Sequence, residues 1–215
     1  MLRDKARTGT ALSISEIYRS FQGEGLLSGV PALFIRLQGC NLRCSWCDQE
    51  SSLEFTKNNL KSICELVEEA RGIKHVIITG GEPMAHEGLP ELVRALLKEG
   101  HTVQIETNGT LWQNGLESLE GLFITCSPKP SADWQVHKEV LKNLFELKFV
   151  VDRKLTLSVL LREEFKKYLD FRTTLQPESN KEEFLIKAQE LARDLSALGY
   201  NVRVLLQLHK ILGLS

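Results

Sequence analysis

The sequence has little that would suit a membrane, a nucleic acid or a disulfide framework. Its formal net charge is −1, from 27 basic and 28 acidic residues, so composition offers no positive surface for a nucleic acid. No apolar run approaches the ~20 residues that a membrane-spanning helix needs. Five cysteines in 215 residues, with no recognisable signal peptide, argue against disulfides. We therefore expect a cytoplasmic protein with neither a nucleic-acid nor a membrane partner.

The chain also lacks internal repeats, low-complexity segments and linkers. Its length suits one domain, since parallel α/β proteins often exceed the usual domain size. Residues 1–12 are polar, and chain ends of this kind are rarely ordered. The sequence therefore predicts a loose segment over 1–12 and a single domain over 13–215.

Three of the five cysteines stand close together, at Cys40, Cys44 and Cys47, with the spacing C-x3-C-x2-C. A four-iron cluster needs one ligand outside the cluster for each iron. Three thiolates therefore leave one iron open, and an open coordination position is where a metal site can react. The spacing predicts a catalytic [4Fe-4S] cluster.

The other two cysteines bear on the main alternative, which is a structural zinc site. Such a site takes four ligands, usually as two separated pairs, and Cys64 and Cys126 are far away in the sequence. Cys64 falls in an apolar helical pattern and is interpreted as a small core residue, and Cys126 ends an apolar strand.

Hydrophobic periodicity alternates between strand and helix along the chain. Strands are predicted at residues 33–37, 75–79, 101–106, 122–125, 147–151, 172–175 and 202–207. Helices are predicted at residues 60–70, 89–98, 136–145, 162–169 and 182–198. This order predicts right-handed βαβ units in a parallel sheet, with the active site at the carboxyl ends of the strands.

Polar, turn-forming motifs follow six of the predicted strands. They are the cysteine loop, Gly80-Gly81-Glu82-Pro83, Glu106-Thr107-Asn108-Gly109, Ser127-Pro128-Lys129, Gln176-Pro177 and His209-Lys210. Each alone has an ordinary explanation as a tight turn, a solvated lysine or a structural histidine. Six of them on one rim indicate an active-site face.

The cysteine motif, with the glycine-rich element after it, resembles the radical S-adenosylmethionine (SAM) superfamily. In that superfamily SAM binds the open iron, and one electron from the cluster releases a 5′-deoxyadenosyl radical. The resemblance implies an α/β fold, a partial and open parallel β/α barrel that is trimmed in helices. It also implies that Gly81 and Glu82 contact the methionine part of SAM, and that Trp46 lies against its adenine.

The amino-terminal motif Gln22-Gly23-Glu24-Gly25 makes the resemblance more specific. With Ser127-Pro128-Lys129 and the late His209-Lys210, it resembles the 7-carboxy-7-deazaguanine synthases from about residue 15 to the end of the chain. The implied reaction converts 6-carboxy-5,6,7,8-tetrahydropterin into 7-carboxy-7-deazaguanine and ammonia, in the biosynthesis of queuosine-type nucleosides. SAM would act as a reusable cofactor in this lyase.

The resemblance also implies which residues bind. The cluster would be held by Cys40, Cys44 and Cys47. SAM would be held by Trp46, Cys47, Asp48, Gly81, Glu82, Gly109, Ser127, Pro128, Lys129, Gln176, Pro177, Glu178 and Ser179. The pterin would be held by Phe21, Gln22, Gly23, Glu24, Arg36, Thr107, His209 and Ser215.

Two of the implied substrate contacts have a stated chemical basis. A guanidinium such as that of Arg36 forms a two-pronged pair with a carboxylate. The terminal carboxylate of Ser215 could accept hydrogen bonds from the amino-pyrimidine edge of the pterin. Ile211, Leu212 and Leu214 are then expected to pack over the site as a small apolar lid.

The sequence departs from the family directly after the third cysteine. The family often has Cys-Asp-Thr, where the threonine helps to hold Mg²⁺, whereas this chain has Cys47-Asp48-Gln49. Magnesium favours near-octahedral oxygen ligation, which a glutamine carbonyl can supply only on a longer arm. Gln49 could bind the ion directly or through water, Ser51 or Ser52 could replace it, or the ion could be dispensable.

The resemblance implies an electron donor such as flavodoxin or ferredoxin, and a homodimer. Two alternatives stay open at this point. A radical SAM activating enzyme shares the cysteine spacing and would act on a protein partner. A non-catalytic iron–sulfur or zinc protein would need no glycine-rich element. The activating enzyme gives no reason for Gln22-Gly23-Glu24 or for Ser127-Pro128-Lys129.

Overall fold

The computed structural model describes residues 10–213, which form one nine-stranded mixed sheet. The strands are β1 (Ala11–Phe21), β2 (Pro31–Leu37), β3 (Leu60–Ser62), β4 (His75–Gly80), β5 (Thr102–Thr107), β6 (Leu122–Cys126), β7 (Glu146–Val151), β8 (Thr173–Pro177) and β9 (Arg203–Val204). Their order is β3-β1-β2-β4-β5-β6-β7-β8-β9. From β2 onward neighbouring strands are parallel, while β1 is antiparallel to β2 and β3. Within the described residues the sheet is open, because β3 and β9 are its two edges.

The helices between the strands are few and short. They are α1 (Ile63–Glu69), α2 (Leu89–Lys98), α3 (Lys138–Lys142), α4 (Leu157–Leu160), α5 (Glu163–Lys166), α6 (Glu182–Ala197) and α7 (Leu208–Leu212). In the described part of the chain, none is long and apolar enough to cross a membrane. The predicted fold, an open parallel β/α barrel trimmed in helices, is confirmed.

The two faces of the curved sheet differ in polarity because side chains alternate along a strand. The outer face packs against the helices and includes Val103, Ile105, Leu147, Phe149 and Leu175, all fully buried. Burial of each such side chain contributes about 1.5–3 kcal/mol. The inner face carries Gln104, Glu106, Glu146, Lys148 and Gln176. The barrel interior is therefore polar, and it can hold a polar ligand.

Six predicted strands agree with the structure to within two residues at each end, and the helices at 89–98 and 182–198 agree to within one. The predicted helix 60–70 is wrong at its start, because residues 60–62 form β3 against β1. The Ser62 side chain accepts from the Glu65 N–H in a capping box, so the helix begins only at Ile63. Cys64 is exposed on α1, so its assignment to the core was wrong. Cys126, at the end of β6, is buried.

Other predicted boundaries of helices and strands also differ from those in the structure. The helix predicted at 136–145 is reduced to α3, and the one at 162–169 is replaced by α4 and α5, because Arg162 has an extended backbone between them. The strand predicted at 202–207 keeps two residues, and Gln207 caps α7. Strand β1 was missed, and it takes in Ala11 and Leu12, which the prediction placed in the loose segment. Residues 1–9 lie outside the described part of the chain.

The connection between β1 and β2 enters the barrel interior from the amino ends of the parallel strands, opposite to the loops that follow those strands. Because β1 runs against β2, its last residue, Phe21, pairs with Pro31 at the amino ends of the parallel strands. The chain then folds back into the interior, where the Gln22 amide contacts the inner face and the turn Gly25–Leu27 packs against β7 and β8. Residues 22–27, which we call the floor turn, form the floor of the interior.

Candidate active site

A cavity of about 450 Å³ lies above the floor turn, among the carboxyl ends of the parallel strands. The predicted site residues that line it are Phe21, Gln22, Gly23, Glu24, Arg36, Cys40, Cys44, Trp46, Cys47, Asp48, Gln49, Gly81, Thr107, Ser127, Lys129, Gln176, Glu178, Ser179 and His209. Glu82, Gly109, Pro128 and Pro177 stand behind this lining, and Ser215 lies outside the described residues. The structure therefore gathers residues from both ends of the chain around one space.

Residues 40–49, which we call the cysteine wall, form one side of the cavity. Cys40 is buried, while Cys44 and Cys47 are half-buried, and all three line the same space. A backbone hydrogen bond fixes the start of the wall, since the Cys40 N–H donates to the Leu53 carbonyl at 2.9 Å. Burial raises the pKa of the Cys40 and Cys47 thiols in the metal-free chain, so binding iron would release protons.

The cysteine wall fits a four-iron cluster better than a single ion. Among residues 10–213, no three His, Cys, Asp or Glu side chains converge as the ligands of one metal ion. A structural zinc needs four such ligands at one point. A [4Fe-4S] cluster takes each cysteine on a different iron, which suits three separated thiols on one wall.

The glycine-rich motif supports the cysteine wall by close backbone contact. A Cβ at Gly81 would stand 2.1 Å from the carbonyl oxygen of Gly39, and one at Gly80 would stand 2.2 Å from that of Leu37. The Glu82 N–H donates to the Gly39 carbonyl at 2.8 Å. Only glycine fits these positions, so the motif determines how closely the cysteine wall packs against the end of β4.

The Glu82 side chain does not face the cavity. It is fully buried, and its carboxylate accepts from the Thr107 hydroxyl at 2.6 Å, the Asn108 N–H at 2.7 Å and the Met84 N–H at 2.9 Å. Burial raises its pKa, and the three donors oppose that rise. Glu82 thus orders the rim between β4 and β5, and the expected contact of its side chain with SAM has no support in this geometry.

The end of β5 is tied directly to the cysteine wall. The Asn108 amide donates to the Asn41 side-chain oxygen at 2.9 Å, and the Asn41 amide donates to the Thr110 hydroxyl at 2.8 Å. Asn41 directly follows Cys40, so this chain of bonds holds the first ligand against the sheet. Sequence reasoning identified Asn108 only as part of a turn.

Trp46 is fixed at the mouth of the cavity by two polar neighbours. Its ring nitrogen donates to Asp152 Oδ2 at 2.9 Å, and the Lys129 ammonium lies 5.0 Å from the ring centre. Lys129 also donates to the Ser127 hydroxyl at 2.8 Å, and burial lowers its pKa. An indole held in this way offers a flat surface to an aromatic ligand. Asp152 was not predicted from the sequence.

The three residues considered as magnesium ligands have different surroundings. Gln49 lines the cavity. The Ser52 hydroxyl is buried and donates to Ser15 at 3.0 Å. Ser51 is exposed outside the cavity lining. Of the three, Gln49 alone lines the cavity.

The floor carries a buried cluster of charged groups. The Lys148 ammonium pairs with Glu24 by a short hydrogen bond and lies 3.8 Å from Glu106 Oε1. Burial alone would raise the pKa of Glu24, but Lys148 and the amides of Gln176 and Gln207 outweigh it and hold that pKa well below its usual range. Burial alone would lower the pKa of Lys148, but Glu24 and Glu106 keep it raised. Both partners are therefore charged near neutral pH.

The Gln22 side chain is occupied within the protein. Its amide donates to Gln104 Oε1 at 2.9 Å and to Glu106 Oε1 at 3.1 Å, while its oxygen accepts from the Glu24 N–H at 3.1 Å. The Thr79 hydroxyl donates to the other Glu106 oxygen at 2.9 Å. Gln22 thus shapes the floor turn with its side chain, and its backbone is paired as well, since its N–H donates to the Val30 carbonyl at 2.8 Å and its carbonyl accepts from the Gly29 N–H at 2.7 Å.

Arg36 stands on β2 with its guanidinium at the cavity. Its Nη2 donates to the Tyr18 hydroxyl at 2.9 Å, and its Nε lies 3.4 Å from Glu16 Oε2. The Tyr18 ring stacks on Phe34 with centroids 4.8 Å apart. A guanidinium has five N–H donors, so donors remain for an anionic ligand.

The carboxyl-terminal residues return to the floor turn. The Gln207 amide donates to Glu24 Oε1 at 2.7 Å, and the Leu208 N–H donates to the Gly23 carbonyl at 2.8 Å. The His209 ring packs on Gly23, where a Cβ would stand 2.5 Å from Nδ1. His209 Nδ1 is 4.0 Å from Glu24 Oε1. Only glycine at position 23 permits this approach.

The apolar lid expected at the end of the chain is not formed by the residues described. Ile211 and Leu212 lie on α7 and are 57% and 58% exposed. They cannot be packed over the cavity at that exposure, because α7 turns them to the solvent. Leu214 and the predicted substrate contact Ser215 fall outside the described residues.

Sequence reasoning missed Lys148 and Gln207, and it noted Glu106 only as the start of a turn motif. A signal for two of these was available in the strand pattern. Strands that are buried on both faces read as continuous apolar runs, yet β5 and the first half of β7 alternate polar or charged residues with apolar ones. Alternation in a parallel strand indicates a polar interior, and it would have marked Glu106 and Lys148.

The open parallel barrel and its cysteine wall define a radical SAM protein, and the Radical SAM superfamily matches residues 34–125. The 7-carboxy-7-deazaguanine synthase of Aquifex aeolicus is 50% identical over the whole of both chains, and that of Rickettsia prowazekii is 34% identical over 96% of this chain and 90% of the relative. The chain belongs to the family of 7-carboxy-7-deazaguanine synthases.

A solved structure supports the same assignment. The crystal structure of QueE from Escherichia coli matches with a TM-score of 0.69 and 28% identity, over 89% of this chain and 92% of that one. The protein is therefore a radical SAM lyase, with a [4Fe-4S] cluster and SAM as its cofactors. The alternatives, an activating enzyme for a partner protein and a non-catalytic iron–sulfur or zinc protein, are set aside by this membership.

Proposed function

We propose that the cavity converts 6-carboxy-5,6,7,8-tetrahydropterin into 7-carboxy-7-deazaguanine and ammonia. The observation that carries this proposal is the placing of three cysteines above a largely buried Glu24, which is ion-paired with Lys148, around one cavity. The cysteine wall suits a source of radicals, and the floor suits a polar heterocycle with hydrogen-bond donors along one edge. The names of the relatives favour the same reaction.

The cofactors would occupy the upper part of the cavity. Cys40, Cys44 and Cys47 would hold the cluster, which with SAM supplies the hydrogen-abstracting radical. SAM would rest on the lining formed by Trp46, Asp48, Gly81, Ser127, Lys129, Gln176, Glu178 and Ser179. Gly109, Pro128 and Pro177 would act by shaping the backbone behind that lining.

The substrate would lie on the floor turn. The guanidine-like edge of a pterin donates hydrogen bonds, and the Glu24 carboxylate can accept them because Lys148 keeps it ionised. Arg36 would pair with the pterin carboxylate, and His209 would flank the ring. Thr107 lines the cavity, but its hydroxyl already donates to Glu82, so it would act by position.

Three further features belong to the proposal. Gln49 would hold a Mg²⁺ ion beside the substrate, directly or through water. A small electron donor such as flavodoxin or ferredoxin would reduce the cluster. The enzyme would act in the cytoplasm as a homodimer, without a nucleic-acid or membrane partner.

The test follows the hydrogen atom. The anaerobically reconstituted enzyme would be given SAM, a reductant and substrate deuterated at C6, and the product would be analysed by mass spectrometry. We expect deuterium in 7-carboxy-7-deazaguanine, and 5′-deoxyadenosine far below one equivalent per turnover, because SAM is regenerated. A Cys44→Ala variant is the blank. One equivalent of 5′-deoxyadenosine per turnover would contradict the proposed reaction.

A further inference from the structure

A second buried carboxylate, Glu146, lies beneath the floor turn and does not line the cavity. Its Oε1 accepts from the Leu26 N–H of that turn at 3.0 Å and from the Thr174 hydroxyl at 2.7 Å. Its Oε2 accepts from the Thr125 hydroxyl at 3.3 Å. The group therefore joins three strands of the sheet to one backbone amide of the turn.

Gly25 makes this contact unusually close. It has φ +65°, and a Cβ there would stand 2.4 Å from Glu146 Oε2 and 2.6 Å from Oε1. Other residues in the left-handed region cost about 1–2 kcal/mol, but here a side chain would also meet the carboxylate. The turn rests on Glu146 with no space between them.

The neighbouring inner-face residue holds the other end of the turn. Gln104 accepts from the Gln22 amide at 2.9 Å and donates to the Thr125 hydroxyl at 2.9 Å, and Thr125 in turn donates to Glu146. One hydrogen-bonded network therefore supports both ends of the segment that carries Gly23 and Glu24. A buried network that is fully satisfied favours a single arrangement.

We propose that Glu146 is a positioning residue that sets the height of the floor turn and thereby the reach of Glu24 to the pterin. The inference rests on the proposed function for its substrate. Glu146 acts through the Leu26 N–H and through contact with Gly25, and it touches no reacting atom. Its role depends on a hydrogen-bond acceptor at this point.

The test compares Glu146→Gln, which keeps a carbonyl acceptor, with Glu146→Leu, which keeps the size and removes it. We expect Glu146→Leu to raise the Michaelis constant for 6-carboxytetrahydropterin about tenfold and to speed hydrogen exchange at the Leu26 amide to a similar degree. Glu146→Gln should stay within about threefold of the wild type in both. Equal losses in the two variants would overturn the proposal.

Leu147→Ala is the matched control for stability. Leu147 is the next residue of β7, fully buried on the outer face, so its truncation lowers the melting temperature without touching the turn. We expect its Michaelis constant and its Leu26 exchange to remain at wild-type values. An equal rise in Leu147→Ala would show that stability alone is responsible, and would overturn the proposal.

A glycine pair tests the same contact if Glu146→Leu does not fold. Gly25 and Gly29 both have positive φ, but an added Cβ meets Glu146 at the first and nothing within 4 Å at the second. We expect Gly25→Ala to raise the Michaelis constant about tenfold and Gly29→Ala to leave it within about threefold. Equal effects would overturn the proposal.

The two proposals fail in different ways. If the wild-type enzyme forms no 7-carboxy-7-deazaguanine, the proposed function is wrong. Hydrogen exchange at Leu26 is measured on the protein without cluster or substrate, so it still decides whether Glu146 holds the turn. If the wild type turns over and the Glu146 variants match it in both readouts, the positioning role alone is wrong.

Discussion

The cysteine wall and the floor turn face each other across the cavity, but they are held in different ways. Backbone contacts and neutral side-chain amides hold the wall, since Gly81 packs on the Gly39 carbonyl with no space for a side chain and the Asn108 amide donates to Asn41. Ionised and polar side chains from strands far along the chain hold the floor, with Lys148 on β7 paired to Glu24.

The difference matches the chemistry that each side has to perform. A cluster needs three thiols at fixed separations, and backbone contact between glycines fixes position with no charge involved. A substrate with donors and a carboxylate needs charges held ready in a dry place, where they act strongly. Substitutions of the cysteine ligands should therefore abolish activity, and substitutions in the floor should reduce it only in part.

The largest effect is expected from Cys44→Ala, because each thiolate carries one iron of the cluster. The variant should bind no four-iron cluster and cleave no SAM, measured by iron content, absorption and 5′-deoxyadenosine. Cys64→Ala, on the exposed surface of α1, is the matched control and should keep both. Cys126→Ala should lose stability, since it is buried, yet keep the cluster. SAM cleavage by Cys44→Ala would refute this account of the wall.

Gly81→Ala should come next. The added Cβ would stand 2.1 Å from the Gly39 carbonyl, so the cysteine wall must move and iron incorporation should fall several-fold or more. Gly100→Ala is the control, because Gly100 has φ +85° but open space. That control should lose about 1–2 kcal/mol of stability and retain its iron. Normal iron content in Gly81→Ala would show that the wall does not depend on this contact.

Lys148→Met should disturb the floor turn and leave the cysteine wall unchanged. It leaves Glu24 buried without its cation, and breaking such a pair typically costs about 3–5 kcal/mol. We expect a lower free energy of unfolding and a higher Michaelis constant for the pterin, with iron content unchanged. Adding Glu24→Gln to Lys148→Met should restore part of the stability. Loss of iron in Lys148→Met would show that wall and floor are not independent.

The same variant predicts a pH dependence. In the wild type the pKa of Glu24 is lowered, so its contribution is full above the ordinary pKa of about 4.3 and is lost only below it. The raised pKa of Lys148 keeps that group charged throughout the range from pH 5 to 8. In Lys148→Met the cation is gone, and burial raises the pKa of Glu24. As the pH falls, Glu24 becomes protonated, and the destabilisation caused by its unpaired buried charge decreases. The difference in unfolding free energy should therefore narrow from pH 8 to pH 5, measured by urea unfolding.

The smallest effect is expected at Gln49, which stands on the wall but would serve the substrate. If it holds Mg²⁺, Gln49→Ala should raise the magnesium concentration needed for half-maximal activity, and Gln49→Thr should retain or improve activity. Ser51→Ala is the control, since Ser51 lies outside the cavity lining. A wild-type enzyme indifferent to magnesium and to chelator would remove the ion from the mechanism.

The wall could be predicted from the sequence because its ligands and supports lie in short contiguous motifs. The floor could be predicted only in part, at Gln22-Gly23-Glu24. Lys148 and Gln207 contact Glu24 although they lie 124 and 183 residues from it in the sequence. A contact over such a distance cannot be predicted from the spacing of residues in a short motif.

Other errors came from local patterns that tertiary structure overrode. Leu60 fitted a helical period but lies exposed in the edge strand β3, and the capping pair of Ser62 and Glu65 was the better signal. The SAM contact of Glu82 stays a prediction for the backbone of this motif, but the direction of its carboxylate could not be read from the motif. In the structure the Glu82 carboxylate accepts hydrogen bonds from two backbone N–H groups and one hydroxyl behind the rim of the cavity.

The bond from the Leu208 N–H to the Gly23 carbonyl has a consequence for the order of assembly. The β1–β2 hairpin is local in sequence, and local contacts form fast. Each later strand from β4 to β9 is then added beside the one before it. The floor turn is thus among the first segments that can fold, and the residues that complete it are among the last. During synthesis the cysteine wall can form well before Gln207 reaches Glu24, so the part of the site that generates radicals is expected to mature before the part that receives the substrate.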